Sequence, residues 1–303
     1  MRYIKFNAFM KTVVANIKDW LPEVYQGASV EIHKFNKNNG ITLHGMLIKV
    51  PWIDISPVIY LEEFYEMYTQ GRYSLDDILK KIAALYVENN VLKGWSKEDV
   101  IINQWEDVKD LIGMRLINAA WNNAMLQSMP FSQYEDLAIV YYIDYGKKFE
   151  NAKALITNKM INKWGVSVKD LHNQAVENGK RDVEFKPILQ VLSDAGIPLR
   201  GGGEEVNMYV LSNKSRLYGA CACLYPGILH DIYCKIGNFI TLPSSIHELL
   251  IVGCEKDDIE KKAILYDLVN EVNTNQVAFV EQLSYSIYEY DVEKDRLVKV
   301  ELK

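Results

Sequence analysis

Residues 238–253 read "NFITLPSSIHELLIVG". Two short apolar runs, 239–242 and 249–252, flank a Pro-Ser-Ser step, and their length and aliphatic make-up predict strands rather than helix. Pro243 restricts Leu242 to extended backbone and the serines can close a turn, so "LPSS" is read as the loop joining the two strands. Upstream, "MYVLSN" reads as a strand and "GACACLYPGILHDIYCKIG" as a helix with Pro226 near its middle. Downstream, residues 259–272 carry a long helix, and "VEQLSYSIYEYDVEKDRLVKVEL" closes as a hairpin turning near Lys294 and Asp295. The C-terminal part is therefore a β-α-β-β-α-β-β core.

Earlier in the chain, Ile4, Phe9, Val13, Ile17 and Trp20 recur at helical spacing until Pro22. "SVEIHKFNKNNGITLHGMLIKV" is a hairpin around Asn39-Gly40; with that turn, His33 and His44 would lie diagonally on one face. A strand to Leu61 and a helix ending at Gly71 follow, with Glu62, Glu63 and Glu66 complementing the dipole at the helix start. Ser74 with Asp77 begins another helix, to about Val87, and "ENNVLKGWSKEDV" is rich in turn residues. "GMRLINA" and "EDLAIVYYI" read as strands, "WNNAMLQSM" as a polar helix and "AKALITNKMINKWG" as a strand and helix stopped by Gly165. Ser167 with Asp170 caps a helix to Gly179, and residues 184–195 read as one more.

Strands and helices mix without regular βαβ alternation, which predicts an α+β fold: two lobes of mixed, mostly antiparallel sheets flanked by helices. The lobes are placed at residues 1–130 and 131–303, because Pro130 ends a polar helix before an apolar strand. The glycine loop 201–203 is an alternative boundary.

Several functional classes are disfavoured by composition. Thirty-four basic against 40 acidic residues leave a net charge of −6, and like charges never run to five, so no concentrated cationic footprint for nucleic acid exists. No apolar stretch is long enough to span a membrane, and no secretory leader is recognised, which points to the cytoplasm. Cys221, Cys223, Cys234 and Cys254 lie among apolar neighbours without zinc-ligand spacing and are read as reduced core thiols. Gly201–Gly203 is followed by two glutamates rather than Lys-Ser/Thr, so it is a flexible loop and not a phosphate loop. Neither a metal nor a cofactor is implied.

The candidates for chemistry converge on the opening stretch. In a strand starting near Ile246, His247 and Glu248 point to opposite faces, whereas Ser245 and His247 can share one. Ser245, His247 and Glu248 are thus the catalytic candidates, without a G-x-S-x-G elbow around them. Ser244, Asn270, Asn273 and Gln276 are candidate ligand-binding residues. Nineteen tyrosines suggest instead a non-enzymatic protein-interaction or regulatory protein with a protein partner, since tyrosine is enriched at interface cores. Tyr60, Tyr65, Tyr68, Tyr141, Tyr142, Tyr285, Tyr288 and Tyr290 are the residues to check. The alternative is a hydrolase or small-molecule-binding enzyme with a site between the lobes.

"SPVIYLEEFYEMY", "EDLAIVYYI", "ITNKMINKWG", "YVLSN", "GACACLYPGIL", "LPSSIHE" and "LVNEVNTNQV" occur in this order. Together they resemble a bacterial family known only as a domain of unknown function, over nearly the whole chain. The C-terminal half is also weakly similar to a second bacterial family ordered strand, helix, strand, helix, hairpin. The resemblance implies a cytoplasmic bacterial protein from an anaerobe-rich lineage and carries over no catalytic residue; Asn270, Asn273, Asn275 and Gln276 match a polar patch in the family's pattern.

Overall fold

A computed structural model describes residues 3–50, 56–88, 103–146, 153–197 and 207–302. The chain divides into two compact units, residues 1–37 with 41–101, and residues 38–40 with 102–303.

The smaller unit opens with helix α1 (Phe6–Asn16), extended by a 3-10 turn to Trp20. Its apolar spacing has a structural consequence: Phe9, Val13 and Ile17 are fully buried on one face. Strands β1 (Ser29–Asn36), β2 (Thr42–Lys49) and β3 (Ile59–Tyr60) form an antiparallel sheet in that order. Helix α2 (Glu62–Thr69) ends before Gly71, whose φ of 75° suits glycine alone at no steric cost. Helix α3 (Leu75–Glu88) starts at the expected cap, where Ser74 N–H and Oγ donate to Asp77 and Asp77 N–H donates back to Ser74 Oγ at 3.2 Å. Met46 and Ile48 of β2 pack with Ile78 and Ile82 of α3 and with α1. Each such aliphatic side chain stabilises the unit by about 1.5–3 kcal/mol.

The β1–β2 register corrects the two-histidine reading. His33 pairs with Gly45 and Lys34 with His44, because residues 37–41 make a longer turn with Asn39 at φ 59°. A shift of one residue puts His33 and His44 on opposite faces. His33 meets Glu31 at 2.8 Å, and His44 Nδ1 meets Glu62 Oε1 at 2.8 Å. Glu62 also accepts the His44 backbone N–H at 2.7 Å, so this carboxylate ties a helix start to the sheet.

The larger unit begins with α4 (Trp105–Val108), β4 (Ile112–Asn118), α5 (Asn123–Leu126), β5 (Phe131–Tyr134), β6 (Leu137–Asp144) and β7 (Lys153–Leu155). Strand β6 is buried along nearly all its length and pairs antiparallel with β4 on one edge and with β5 and β7 on the other. The register Ile112↔Ile143 crosses residue 130, so a lobe boundary there would cut a paired sheet. Helices α6 (Asn158–Trp164) and α7 (Val168–Gly179) start at Thr157 and Ser167 caps, and Gly165 ends α6 in the left-handed region. Residues 38–40 belong here: Asn39 N–H donates to Asn122 Oδ1 at 2.8 Å, and Asn122 Nδ2 donates to Asn39 Oδ1 at 2.9 Å.

The second sheet is six-stranded, ordered β13-β12-β10-β11-β9-β8, with every described pair antiparallel. It comprises β8 (Val183–Pro187), β9 (Met208–Asn213), β10 (Phe239–Ser245), β11 (Glu248–Gly253), β12 (Tyr288–Asp291) and β13 (Arg296–Lys299). Between them run α8 (Ile188–Asp194), α9 (Ile228–Ile236) and α10 (Ile259–Asn275). The helix expected over 184–195 is thus a strand followed by a shorter helix; Phe185 stacks on Tyr209 across the β8–β9 pair at 4.8 Å. The helix expected through Pro226 is split into a 3-10 segment, Gly219–Leu224, and α9, because Tyr225 before the proline is extended and Gly227 takes φ 81°. The 201–203 loop and most of the 88–100 turn lie outside the described residues. Among the described residues no helix is long and apolar enough to cross a membrane.

Candidate functional site

The Ser-Ser-x-His-Glu segment forms the tip of the β10–β11 hairpin. "LPSS" is not a loop but the end of β10: Leu242 pairs with Leu250 and Ser245 with Glu248, leaving one extra residue as a bulge. A bulge is where a strand tolerates Pro243, which has no N–H to donate. The turn itself is Ile246-His247, and Ser245 Oγ accepts the His247 backbone N–H at 3.0 Å. The serine therefore caps the turn, and its hydroxyl makes no bond to the imidazole ring.

His247 is held by its surroundings. Its Nδ1 accepts the Tyr218 backbone N–H at 3.2 Å, its ring stacks on the Tyr218 ring at 5.7 Å and 11°, and its carbonyl accepts from Ser212 Oγ at 2.8 Å. Nε2 lies 3.8 Å from Glu281 Oε1. Burial lowers the His247 pKa; Glu281 and Glu248 oppose that shift, and Arg115 adds to it. Accepting a backbone N–H at Nδ1 also requires the neutral ring. Glu248 turns to Arg216 at 3.7 Å. A hydrolytic Ser-His pair needs the nucleophile's hydroxyl on the imidazole, and this hairpin instead uses both side chains on backbone groups.

The polar residues of α10 do not form one patch. Asn273 is buried and donates to Ser284 O at 2.9 Å, while Asn270 bonds its own helix at Tyr266 O and Gln276 is an exposed C-cap. Asn275 likewise bonds back to Glu271 O. Ser244 sits half-buried in the bulged end of β10. Of the eight tyrosines expected at an interface, Tyr141, Tyr142, Tyr288 and Tyr290 are buried, and Tyr60, Tyr65, Tyr68 and Tyr285 are half-buried. Among the cysteines, Cys221, Cys223 and Cys254 are buried free thiols, but Cys234 is exposed on α9 beside His230. Burial pushes the Cys221 thiol up to about 12, so it stays protonated at neutral pH.

The larger unit instead contains a cleft of about 510 Å³ that the candidate residues do not line. Its walls come from the start of β4, the end of β6, the C-terminal end of α7 and the loop after β9. Tyr142 and Tyr225 supply rings, and each fits a notch that only glycine leaves open. A Cβ at Gly113 would come within 2.5 Å of the Tyr142 ring, and one at Gly179 within 2.0 Å of the Tyr225 hydroxyl. Two ion pairs lie within the lining: Lys153 binds Asp144 and lies over the Tyr142 ring, and Lys214 faces Asp182 at 3.5 Å; Asp110 is a further carboxylate of the lining. Burial raises the pKa of both tyrosines well above that of free phenol, so both hydroxyls are neutral donors.

One wall of the cleft is the loop 213–218, which is strained. Arg216 and Tyr218 have φ of 54° and 58°, a region that costs a bulky side chain of order 1–3 kcal/mol. The surroundings enforce it. Asn213 Oδ1 accepts from Leu217 N–H and Ser215 Oγ, and a Cβ on Gly219 would come within 2.2 Å of Ser212 Oγ and 2.6 Å of His247 O. The Tyr218 ring meets Tyr142 edge-on at 5.5 Å, and the Arg115 guanidinium lies 4.8 Å from its centroid. Tyr218 and Arg115 were not singled out from the sequence; the available signal was a lone arginine inside the apolar run "GMRLINA".

The model of a family of unknown function, DUF5688, matches residues 6–292, so the chain belongs to that family. No curated protein and no solved structure matches the chain.

Proposed function

We propose that this protein acts by binding rather than by hydrolysis, taking a small polar molecule in the cleft of its larger unit and serving a regulatory or accessory role through that ligand. The observation that carries the reading is the cleft: about 510 Å³ is within the range of small-molecule sites, and its rings, amides and internally paired charges can orient a polar ligand. Two internal ion pairs and the further carboxylate of Asp110 favour a neutral or zwitterionic molecule over a multiply charged anion. The bacterial, cytoplasmic setting implied by the sequence resemblance fits such a role.

The test is thermal-shift screening of a library of small polar metabolites, followed by titration of the hits. Lys214→Glu changes an exposed side chain of the lining and leaves the core alone. Hits are expected to bind this variant about tenfold or more weakly, the loss of one charge-assisted contact. A library without hits, or hits indifferent to Lys214→Glu, would overturn the cleft reading.

A protein partner is the second reading, favoured by Ile264 and Leu268, which lie one turn apart on α10 and are 61% and 40% exposed. Parallel affinity captures with wild type and Ile264→Lys/Leu268→Lys are expected to differ by one stoichiometric partner. Identical captures would remove this reading.

A further inference from the structure

Arg115 is 7% exposed, in the middle of β4. Among the described residues its guanidinium makes no hydrogen bond and no ion pair, and its Nε is sealed from solvent and unsatisfied. A buried charge without a partner costs several kcal/mol, and proteins otherwise pair such groups or bind something to them. The carboxylates that act on the nearby His247 ring form no ion pair with Arg115 among the described residues: Glu248 lies 3.7 Å from Arg216, and Glu281 lies 3.8 Å from His247 Nε2. What holds Arg115 is the face of Tyr218. Stacking uses the face of a guanidinium and leaves its in-plane N–H fork free, and that fork matches two oxygens of one carboxylate or phosphate. The strained Tyr218 backbone is the second observation. Strain of this kind is retained where the surroundings serve a site, and here it sets the ring against Arg115 on one contact and His247 on another.

We propose that Arg115 is the receptor for an oxyanion, a carboxylate or phosphate group, in a site formed with Tyr218. Arg115 is not part of the cleft lining, so the proposal goes beyond the cleft reading and does not depend on it.

The experiment uses the full chain in a buffer free of oxyanions. Its melting temperature is followed while sodium phosphate, sodium acetate or sodium chloride is added at matched ionic strength. A saturable rise with phosphate or acetate above the chloride curve is expected, and whichever salt produces it identifies the oxyanion class. Arg115→Met is expected to lose that excess, and Arg115→Lys, which keeps the charge but not the fork, to weaken the apparent affinity about tenfold or more. Lys214→Glu is expected to retain it, which separates this result from failure of the cleft reading. No excess over chloride in the wild type would overturn the proposal whether or not the variants fold, and so would an excess that survives unchanged in Arg115→Met or Arg115→Lys.

Discussion

Lys262 and Arg115 are two cations of the same unit, 8% and 7% exposed. Lys262, on α10, donates to Glu289 Oε2 on β12 and to Lys256 O, both at 2.7 Å. Among the described residues the Arg115 guanidinium has the Tyr218 ring face and no hydrogen bond or ion pair. The pair separates two uses of a buried charge: Lys262 spends its donors joining a helix to a sheet, whereas the guanidinium donors of Arg115 are unspent among the described residues. Removing water from a charge costs the same kind of energy in both places, and only one of them recovers it within the protein.

The largest effect is expected when Lys262 is left without its carboxylate partner, as Arg115 is. Glu289→Leu strands a buried ammonium and is expected to cost about 3 kcal/mol in urea unfolding; a cost near zero would mean that unpaired cations are tolerated here and would weaken the case built on Arg115. Gly219→Ala comes next. Its Cβ would press on Ser212 Oγ and the His247 carbonyl, with an expected cost of about 2 kcal/mol and a displaced Tyr218. Arg115→Met sharpens the contrast, because without oxyanions it is expected to change stability by less than about 1 kcal/mol or to raise it.

The smallest effect is on pH dependence. Burial depresses the folded pKa of His247 and of His172. Each therefore contributes stability that is complete above the unfolded value of about 6.5 and is lost as pH falls towards the folded one. Melting temperature is expected to drop between pH 7.5 and 5.5, and the drop should be shallower in His247→Asn. An identical profile in the variant would show that the ring beside Tyr218 protonates freely.

Local signals located most elements because local energetics decide them. The Ser74–Asp77 and Ser167–Asp170 boxes, the stop at Gly165 and the turn at Asp295 each satisfy or strain backbone groups within a few residues. Register was not legible in the same way. One added turn residue near Asn39 separated His33 from His44, and one bulge moved the Ser245 turn, since pairing depends on the partner strand as well as on the chain itself. The candidate site was legible only as residue types. Serine, histidine and glutamate at 245–248 are the residues of a hydrolytic site, but their partners proved to be backbone groups and Arg216.

From its amino acids alone this chain is an α+β protein with antiparallel hairpins, because apolar periodicity, caps and turn residues act over short distances. Tertiary structure decided which polar groups are spent and which are left over. Arg115 becomes an unpaired buried cation only when β4 is covered and residues a hundred positions later place Tyr218 against it. The cost of its desolvation exists in the fold and in no segment of the sequence.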